Sequence, residues 1–325
     1  MKRILSLVIA ALLLMSLCAC QSSQKNDAPT LAFVHRAGED AYTAALAESF
    51  FKTAKQLGYD CTAVRPENDS AEAQATLIED LIKRGVRGIA LNANQSEGLE
   101  EVLKKAADAN IPVITLPADT KGSKLLVQPS SPQLMGIALM DAMLELTDGE
   151  GEFAVLAGES VFSGSDPWVR GMETVAKEEK YKTLTWVQTS YGANAEAGLE
   201  GMKSFLTELV QNHPEVEAIC CPDSEAMIAC AKAVEALGLN LKVTGMANYL
   251  TVTDLVGADR ACPYYFFWNP EDVGVCAANA LVALIDGASL QVGGTLTTKL
   301  GSFDVMEGAF GEFSIVAGAP YRYTK

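Results

Sequence analysis

"GYDCTAVRPENDSAEAQATLIEDLIKRGVRGIALNANQSEGLEEVLKKAADANIPVITL", residues 58–116, alternates short β-rich runs with longer helical patterns. After "YDCTAVRP" we expect a helix that opens at Asp69 and Ser70 and ends at Gly85, because Asp and Ser cap helices and Gly ends them. "GIALNA" precedes a second helix from about Ser96, and "IPVITLPA" follows it. This β-α-β-α-β order predicts a parallel sheet with helices on both faces.

The same alternation extends in both directions from this stretch. "TLAFVH", from Thr30, is followed by a helical pattern from about Asp40 to Leu57, and the cycle restarts after "SSPQ". It continues through "EFAVLAG", "TLTWVQTS", "VEAICCPD" and "LKVTGMA". Two such series predict two α/β lobes. No G-x-G-x-x-G follows the first strand and no P-loop occurs, which argues against dinucleotide and P-loop nucleotide binding.

The aromatic run "YYFFWNPEDVG" begins at Tyr264. Its aromatic side chains alternate between two faces, so the strand is apolar on both sides, as is typical of an interior parallel strand. Asn269 is the expected cap of the next helix, with Pro270 at its first position. The open question is whether Trp268 and Asn269, at the end of the strand, form one wall of a binding site.

The first 20 residues have the pattern of a lipoprotein signal peptide. Lys2 and Arg3 precede an uncharged apolar stretch, and "LCAC" resembles a lipobox ending at Cys20. We expect Cys20 to be lipidated and residues 21–29 to form a polar tether. A plain signal cleaved nearby, without a lipid, is the alternative.

The composition excludes several classes of function. The formal net charge of −16 makes nucleic acid a poor partner. An anionic membrane surface would repel such a protein, so a covalent lipid explains contact with the membrane better than electrostatic attraction does. With only His35 and His213 as histidines, a His-rich zinc site is excluded. No C-x-x-C pair occurs, and most cysteines lie in apolar contexts, so we expect buried free thiols. We predict no metal and no cofactor.

Four stretches in this order resemble the type I periplasmic binding proteins of ABC importers, in particular the branch that binds rhamnose or autoinducer-2. They are the opening stretch, "VQPSSPQLMG", "AICCPDSEAMIACAKAVEALGL" and "FFWNPEDVGVCAANALVALIDG". The resemblance implies two doubly wound parallel-sheet lobes joined by three crossovers. It places residues 30–131 and 264–290 in the first lobe, and residues 132–263 and 291–325 in the second.

Ligands of open parallel sheets bind beyond the carboxyl ends of the strands, near helix N-termini. The resemblance aligns Arg36 with a ligand-contacting lysine and Tyr42 with an aromatic residue that lies against the sugar, and it places pocket residues in the loops that follow the strands. A solvated loop cation is the alternative for Arg36, and a core position is the alternative for Tyr42. Asn248 stands beside a position where many sugar binders keep an aspartate. The candidate ligand-binding residues are His35, Arg36, Tyr42, Asp119, Asp166, Trp168, Pro222, Asp223, Ser224, Asn248, Trp268 and Asn269.

The chain departs from the autoinducer-2 branch of the family at three ligand-contacting positions. Pro117 occupies the position of a ligand-binding aspartate, and Asp119, two residues later, either replaces it or caps a turn. The polar pair that contacts autoinducer-2 falls on Gly164 and Ser165, which weakens autoinducer-2 as the ligand. Asn269 replaces an aspartate of the autoinducer-2 branch. It matches the Trp-Asn-Pro pattern of the rhamnose-like branch and favours a neutral, hydroxyl-rich ligand. Asp166 and Ser224 are also plausible helix caps.

We therefore predict a non-catalytic, monomeric, extracytoplasmic solute-binding lipoprotein. Its ligand is a small polyhydroxylated molecule, most simply a monosaccharide, and its partner is an ABC permease with its ATPase. A sensory module that presents the ligand to a membrane receptor is the alternative within the binding class. A secreted sugar-processing enzyme is disfavoured, because no G-x-S-x-G motif occurs and His35 alone would have to act as the base.

Overall fold

A computed structural model describes residues 29–38, 40–157, 167–192, 198–248, 252 and 254–324. In chain order its elements are β1 (Thr30–Val34), α1 (Ala41–Gln56), β2 (Asp60–Val64), α2 (Ala71–Lys83), β3 (Gly88–Leu91), α3 (Glu100–Asp108), β4 (Val113–Thr115), β5 (Leu125–Gln128), α4 (Pro132–Leu146), β6 (Gly151–Ala157), α5 (Pro167–Val175), β7 (Leu184–Tyr191), α6 (Gly198–Asn212), β8 (Val216–Cys221), α7 (Ser224–Leu237), β9 (Lys242–Gly245), β10 (Tyr265–Phe267), α8 (Pro270–Ile285), β11 (Thr295–Thr298), β12 (Gly301–Asp304), β13 (Met306–Glu307), β14 (Phe313–Val316) and β15 (Tyr321–Tyr323).

The first lobe is built on a seven-stranded sheet in the order β13-β14-β5-β4-β3-β1-β2. The five strands from β5 to β2 in this order are parallel to one another. Val34 pairs with Val64 on one side and with Leu91 on the other, so β1, β2 and β3 end at the same level. His35, Arg65 and Asn92 therefore leave the sheet side by side at its carboxyl edge.

The second lobe contains a four-stranded parallel sheet in the order β7-β6-β8-β9. Strand β10 continues this sheet, because Phe266 forms a parallel bridge with Met246 just after β9. Strand β15 pairs antiparallel with β10. Each of the two sheets has a buried apolar cluster on either face, which is the doubly wound arrangement that the sequence predicts.

The helix caps of the first lobe form where the sequence predicts them. The Ser70 hydroxyl accepts a hydrogen bond from Ala73 N at 3.2 Å, and α2 ends just before Gly85, whose φ is 71°. The Asp40 carboxylate accepts from Thr43 N at 2.7 Å and opens α1. Such caps satisfy backbone N–H groups that have no partner within the helix, and each contributes about 1 kcal/mol.

The chain crosses between the lobes three times, at residues 129–131, 268–269 and 317–320. These positions correct two of the predicted lobe boundaries. Residues 264–267 belong to the second lobe, because their side chains are buried in the two apolar clusters of its sheet. Residues 295–316 belong to the first lobe, because β14 pairs with β5 and closes the edge that β5 would otherwise leave open.

Helices α1 and α8 pack closely in the first lobe because Gly274 has no side chain. A Cβ atom at this position would lie 2.1 Å from Ser49 Oγ and 2.2 Å from Leu46 O. This contact fixes α8, and with it Asn269 at the start of α8, against the helix that carries Tyr42.

The cysteines of the described residues are free thiols. Cys220, Cys221, Cys230, Cys262 and Cys276 are buried, and Cys61 is half-buried. Burial raises the pKa of Cys262 and of Cys276 to about 12, so both remain neutral thiols at ordinary pH.

None of the helices in the described part of the chain has the length and apolar character that a bilayer span requires.

We predict that Gly274→Ala lowers the free energy of unfolding by about 1 to 3 kcal/mol, because overpacking outweighs the gain of about 1 kcal/mol that alanine gives inside a helix. Urea denaturation of the chain without its first 20 residues measures this change. Gly318→Ala is the control, since a Cβ atom there meets nothing within 4 Å. Equal stability of the two variants would contradict the close packing of α1 on α8.

Candidate functional site

The carboxyl edge of the first sheet carries His35, Arg36, Arg65 and Asn92. Arg65 Nη1 donates to Arg36 O at 3.1 Å and also contacts Gly38 O, and Arg65 Nη2 lies 3.2 Å from His35 Nδ1. Arg65, which directly follows the neighbouring strand β2, thus holds the loop after β1 in place through these contacts. His35 is buried and its ring packs on Phe33, whereas Arg36 is exposed. Arg65 was not among the residues predicted from the sequence, where its only signal is a cation directly after a strand.

Aromatic side chains from both lobes meet beside this edge. The Trp168 and Trp268 ring centroids are 5.8 Å apart, and Trp268 stacks on Phe267 at 4.5 Å. Tyr42, from α1, meets Phe267 edge to face at 5.8 Å and packs against the cores of both lobes. The predicted aromatic residues Tyr42, Trp168 and Trp268 are therefore brought together, and they form a continuous apolar wall.

Four buried polar atoms at the junction of the lobes have no hydrogen-bond partner in the described part of the chain. They are Tyr42 OH, Asn92 Oδ1, Ser130 Oγ and Trp268 Nε1. Buried polar groups are paired in the great majority of cases, and an unpaired one costs about 1 to 3 kcal/mol. Hydroxyl groups of a bound ligand would supply the missing partners. Two other such hydroxyls, those of Thr120 and Tyr264, are not at the carboxyl edge of a strand.

Tyr42 keeps its proton throughout the physiological range of pH. Burial raises the pKa of its hydroxyl well above the ordinary value, although the adjacent Trp268 indole opposes this change. The indole N–H and the tyrosine oxygen lie close together without completing a hydrogen bond of normal geometry. A neutral donor and a neutral acceptor suit an uncharged polyol better than an anion.

The carboxyl edge of the second sheet carries Pro222, Asp223, Ser224 and Asn248. The Asp223 carboxylate caps α7 by accepting from Ala226 N at 2.8 Å, so the cap is Asp223 and not Ser224. The Ser224 hydroxyl instead accepts from Asn248 N at 3.1 Å and ties the ends of β8 and β9 together. Pro222 is buried beside them. The four residues lie just after the ends of β8 and β9, which are neighbours in the sheet.

Asn269 is at the second crossover, at the start of α8. Its Oδ1 accepts from Glu271 N at 3.0 Å, which confirms the predicted cap. Among the described residues its amide nitrogen has no hydrogen-bond partner, and the side chain is half-buried next to Trp268. Asn269 can therefore cap the helix through oxygen and still donate through nitrogen.

The periplasmic binding protein domain model matches residues 31–289, which is most of the chain. The chain belongs to the periplasmic binding protein family. Members of this family are solute-binding proteins, and the structure has their two parallel-sheet lobes.

Two relatives and one solved structure illustrate the similarity. The ribose import binding protein RbsB of Escherichia coli (strain K12) is 25% identical over 239 residues, which is 73% of this chain and 77% of RbsB. The fructose import binding protein FruE of Bifidobacterium longum (strain NCC 2705) is 26% identical over 311 residues, 89% of this chain and 91% of FruE. An ABC transporter solute-binding protein from Clostridium phytofermentas with bound L-rhamnose is 29% identical, with a TM-score of 0.60 and coverage of 92% and 96%.

The Asp119 carboxylate has its hydrogen-bond partners within the chain, which favours the turn-capping alternative over a ligand contact. Strands β4 and β5 are parallel and no helix joins them, so the loop between them has to return from the carboxyl edge to the amino edge. Asp119 is in this returning loop and is 8% exposed. Its carboxylate accepts five hydrogen bonds, from Thr115 Oγ1, Thr120 N, Ser123 Oγ, Phe310 N and Gly311 N.

Two other candidates, Asp166 and Cys20, lie outside the described residues. Within the part of the chain that the structure describes, no group of three or more His, Cys, Asp or Glu side chains has an arrangement that would hold a metal ion. The polar groups that do converge, amides, hydroxyls and an indole, are hydrogen-bonding groups.

We predict that Asp119→Ala lowers the free energy of unfolding by about 3 kcal/mol or more, because it leaves several buried donors without an acceptor. Ligand affinity of the folded fraction should remain unchanged. Urea denaturation and calorimetric titration on the same preparation separate the two effects. A variant with normal stability and no binding would return Asp119 to the ligand site.

Proposed function

We propose that this periplasmic binding protein captures a neutral, hydroxyl-rich sugar, most simply a monosaccharide, for an ABC importer. The observation that carries the proposal is the set of unpaired buried polar atoms, Tyr42 OH, Asn92 Oδ1, Ser130 Oγ and Trp268 Nε1, beside a wall of aromatic rings. A sugar has the complementary pair of surfaces, since its hydroxyls hydrogen-bond at the edge of the ring and its C–H face stacks on aromatic side chains.

The relatives support the same class of ligand. Ribose and fructose appear in the names of RbsB and FruE, and L-rhamnose is bound in the structure from Clostridium phytofermentas. All three are uncharged polyols. The site needs no catalytic step, so the protein would release its sugar unchanged to the permease, whose ATPase drives import. We propose that it acts as a monomer, because the site is assembled from the two lobes of one chain.

Capture would close the two lobes on the sugar. The surface around Asp223, Ser224 and Asn248 would meet the edge that carries Arg36 and Asn92, with the crossovers as the hinge. The ligand then supplies the partners that the buried polar atoms lack, and it replaces water at the aromatic wall.

A thermal-shift screen of the chain without its first 20 residues tests the proposal, since a ligand that binds only the folded state raises the melting temperature. L-rhamnose, D-ribose, D-fructose and sugar alcohols form the main panel. At a concentration 100 times the dissociation constant the stabilisation is about 2.7 kcal/mol, which gives a shift of several degrees. A shift with nucleosides or amino acids and none with sugars would reject the proposal.

We predict that Asn92→Leu abolishes most sugar binding without loss of stability. The variant removes a buried oxygen that has no hydrogen-bond partner in the part of the chain that the structure describes. Replacing an unpaired polar group by an apolar one of similar shape is neutral or stabilising. Calorimetric titration and urea denaturation measure the two properties. Thr53→Val, at another buried polar position of the same lobe, is the control and should bind normally. Destabilised Asn92→Leu protein with normal affinity would show that Asn92 serves the fold alone.

We also propose that residues 1–20 are a lipoprotein signal peptide, that Cys20 carries the lipid, and that residues 21–29 tether the protein to the outer face of the cell membrane. The apolar run after Lys2 and Arg3, and the "LCAC" sequence, support this proposal. The lipid would keep the released sugar close to the permease.

We predict that Cys20→Ser moves the protein from the membrane fraction to the soluble extracytoplasmic fraction, because the lipid anchor is lost. Cell fractionation followed by immunoblotting measures the distribution. Cys18→Ser, two residues earlier, is the matched control and should remain with the membrane. Equal release of both variants would favour the plain signal peptide.

A further inference from the structure

Gln74 is a fully buried polar residue near the start of α2. Its amide nitrogen Nε2 donates to His35 O at 3.0 Å and to Asn92 O at 2.8 Å. Its oxygen Oε1 accepts from Asn94 N at 2.8 Å. All three partners are main-chain atoms of the loops that follow β1 and β3, so one side chain holds both loops.

These three main-chain atoms lie just past the end of the sheet. The last ladder bonds at this edge run from Asn92 N to Val34 O and from His35 N to Val64 O, each at 2.9 Å. Beyond them β1 and β3 no longer pair, and the carbonyls of His35 and Asn92 lose their strand partners. The Gln74 amide takes the place of the strand-to-strand hydrogen bonds that end here. It binds the main-chain carbonyls of His35 and Asn92, which would be costly to bury unpaired.

The contacts extend from Gln74 to the loop after β2. Asn94, whose N–H binds Gln74, accepts from Ala37 N through Oδ1 at 2.9 Å and donates from Nδ2 to Asn68 O at 3.3 Å. Side chains therefore join the loops after β1, β2 and β3 into one unit. Asn92, whose Oδ1 has no hydrogen-bond partner within the described ranges, is part of this unit and is held by it through its main-chain oxygen.

We infer that Gln74 is a positioning residue for ligand binding: it fixes the backbone of His35 and Asn92 so that the first lobe presents a preorganised half of the site. The inference rests on the proposed function. Preorganisation strengthens binding because the ligand then does not have to order the loops that contact it. Gln74 itself does not touch the ligand.

An isosteric apolar side chain separates this role from simple filling of the core. Gln74→Met keeps the length of the side chain but loses all three hydrogen bonds. Asn94→Ala keeps the main-chain bond to Gln74 and removes the side-chain bonds to Ala37 and Asn68, at a half-buried position where the fold should tolerate the change. Thr244→Val is the matched control, because it removes a buried hydrogen bond to Tyr264 O in the core of the second lobe.

Calorimetric titration with L-rhamnose, D-ribose and D-fructose measures affinity for the chain without its first 20 residues. We expect Gln74→Met to weaken binding about tenfold or more, and Asn94→Ala to weaken it in the same direction, which is the scale of one or two lost buried hydrogen bonds. Thr244→Val should lower the melting temperature and leave the affinity unchanged. Normal affinity in Gln74→Met and Asn94→Ala would overturn the inference.

Hydrogen exchange of the ligand-free protein gives a second readout. We expect faster exchange in residues 35–38 and 92–95 of Gln74→Met and Asn94→Ala, and wild-type rates there in Thr244→Val. If the wild-type protein binds no sugar, the proposed function is wrong. The comparison of exchange rates between the wild type and the variants still decides whether Gln74 orders the loops. Unchanged exchange in both network variants would overturn the positioning role.

Discussion

Val34 pairs with Val64 and with Leu91, and this shared register brings three parallel strands to an end at one level. Parallel strands place their carboxyl ends on the same edge, so residues far apart in the chain become neighbours without any contact that the local sequence encodes. His35, Arg65 and Asn92 are the residues that come next in the chain after these three strands. Gln74 and Asn94 then hold the loops that leave this edge, and the second lobe provides the facing surface.

The polar groups near the site fall into two kinds. Asp119, Gln74 and Ser224 have their partners within the chain, and they support the structure. Asn92, Ser130 and Trp268 present buried atoms without hydrogen-bond partners among the described residues, at a cost to stability of about 1 to 3 kcal/mol each. A fold with two large apolar cores can tolerate this cost, and a ligand that supplies the partners recovers it on binding. The distinction between the two kinds depends on geometry, since both contain amides and hydroxyls.

The crossovers between the lobes also have their own hydrogen bonds. The first and third crossovers run side by side, with Ala317 N donating to Gln128 O at 2.9 Å and Gly318 N to Pro129 O at 3.3 Å. Tyr321 OH, in the second lobe, donates to Asp272 Oδ2 at the start of α8 in the first lobe at 2.6 Å, and this bond raises the pKa of the Tyr321 hydroxyl. Arg322 forms a bidentate ion pair with Glu145 and so anchors the C-terminal strand to the second lobe.

The sequence by itself determined the local features: the alternation of strands and helices, the Ser70 and Asn269 caps, the end of α2 before Gly85, and the interior character of residues 264–267. Each depends on neighbours within a few positions. Only the tertiary structure decided that β10 extends the second sheet while β14 completes the first, because strand pairing joins residues that are distant in the chain. It also placed Asp119 in a returning loop, and it brought Arg65, Gln74 and Asn92 together at the carboxyl edge of the first sheet. Whether a buried polar atom has a partner depends on what the fold brings within about 3 Å of it, and no local pattern encodes that distance.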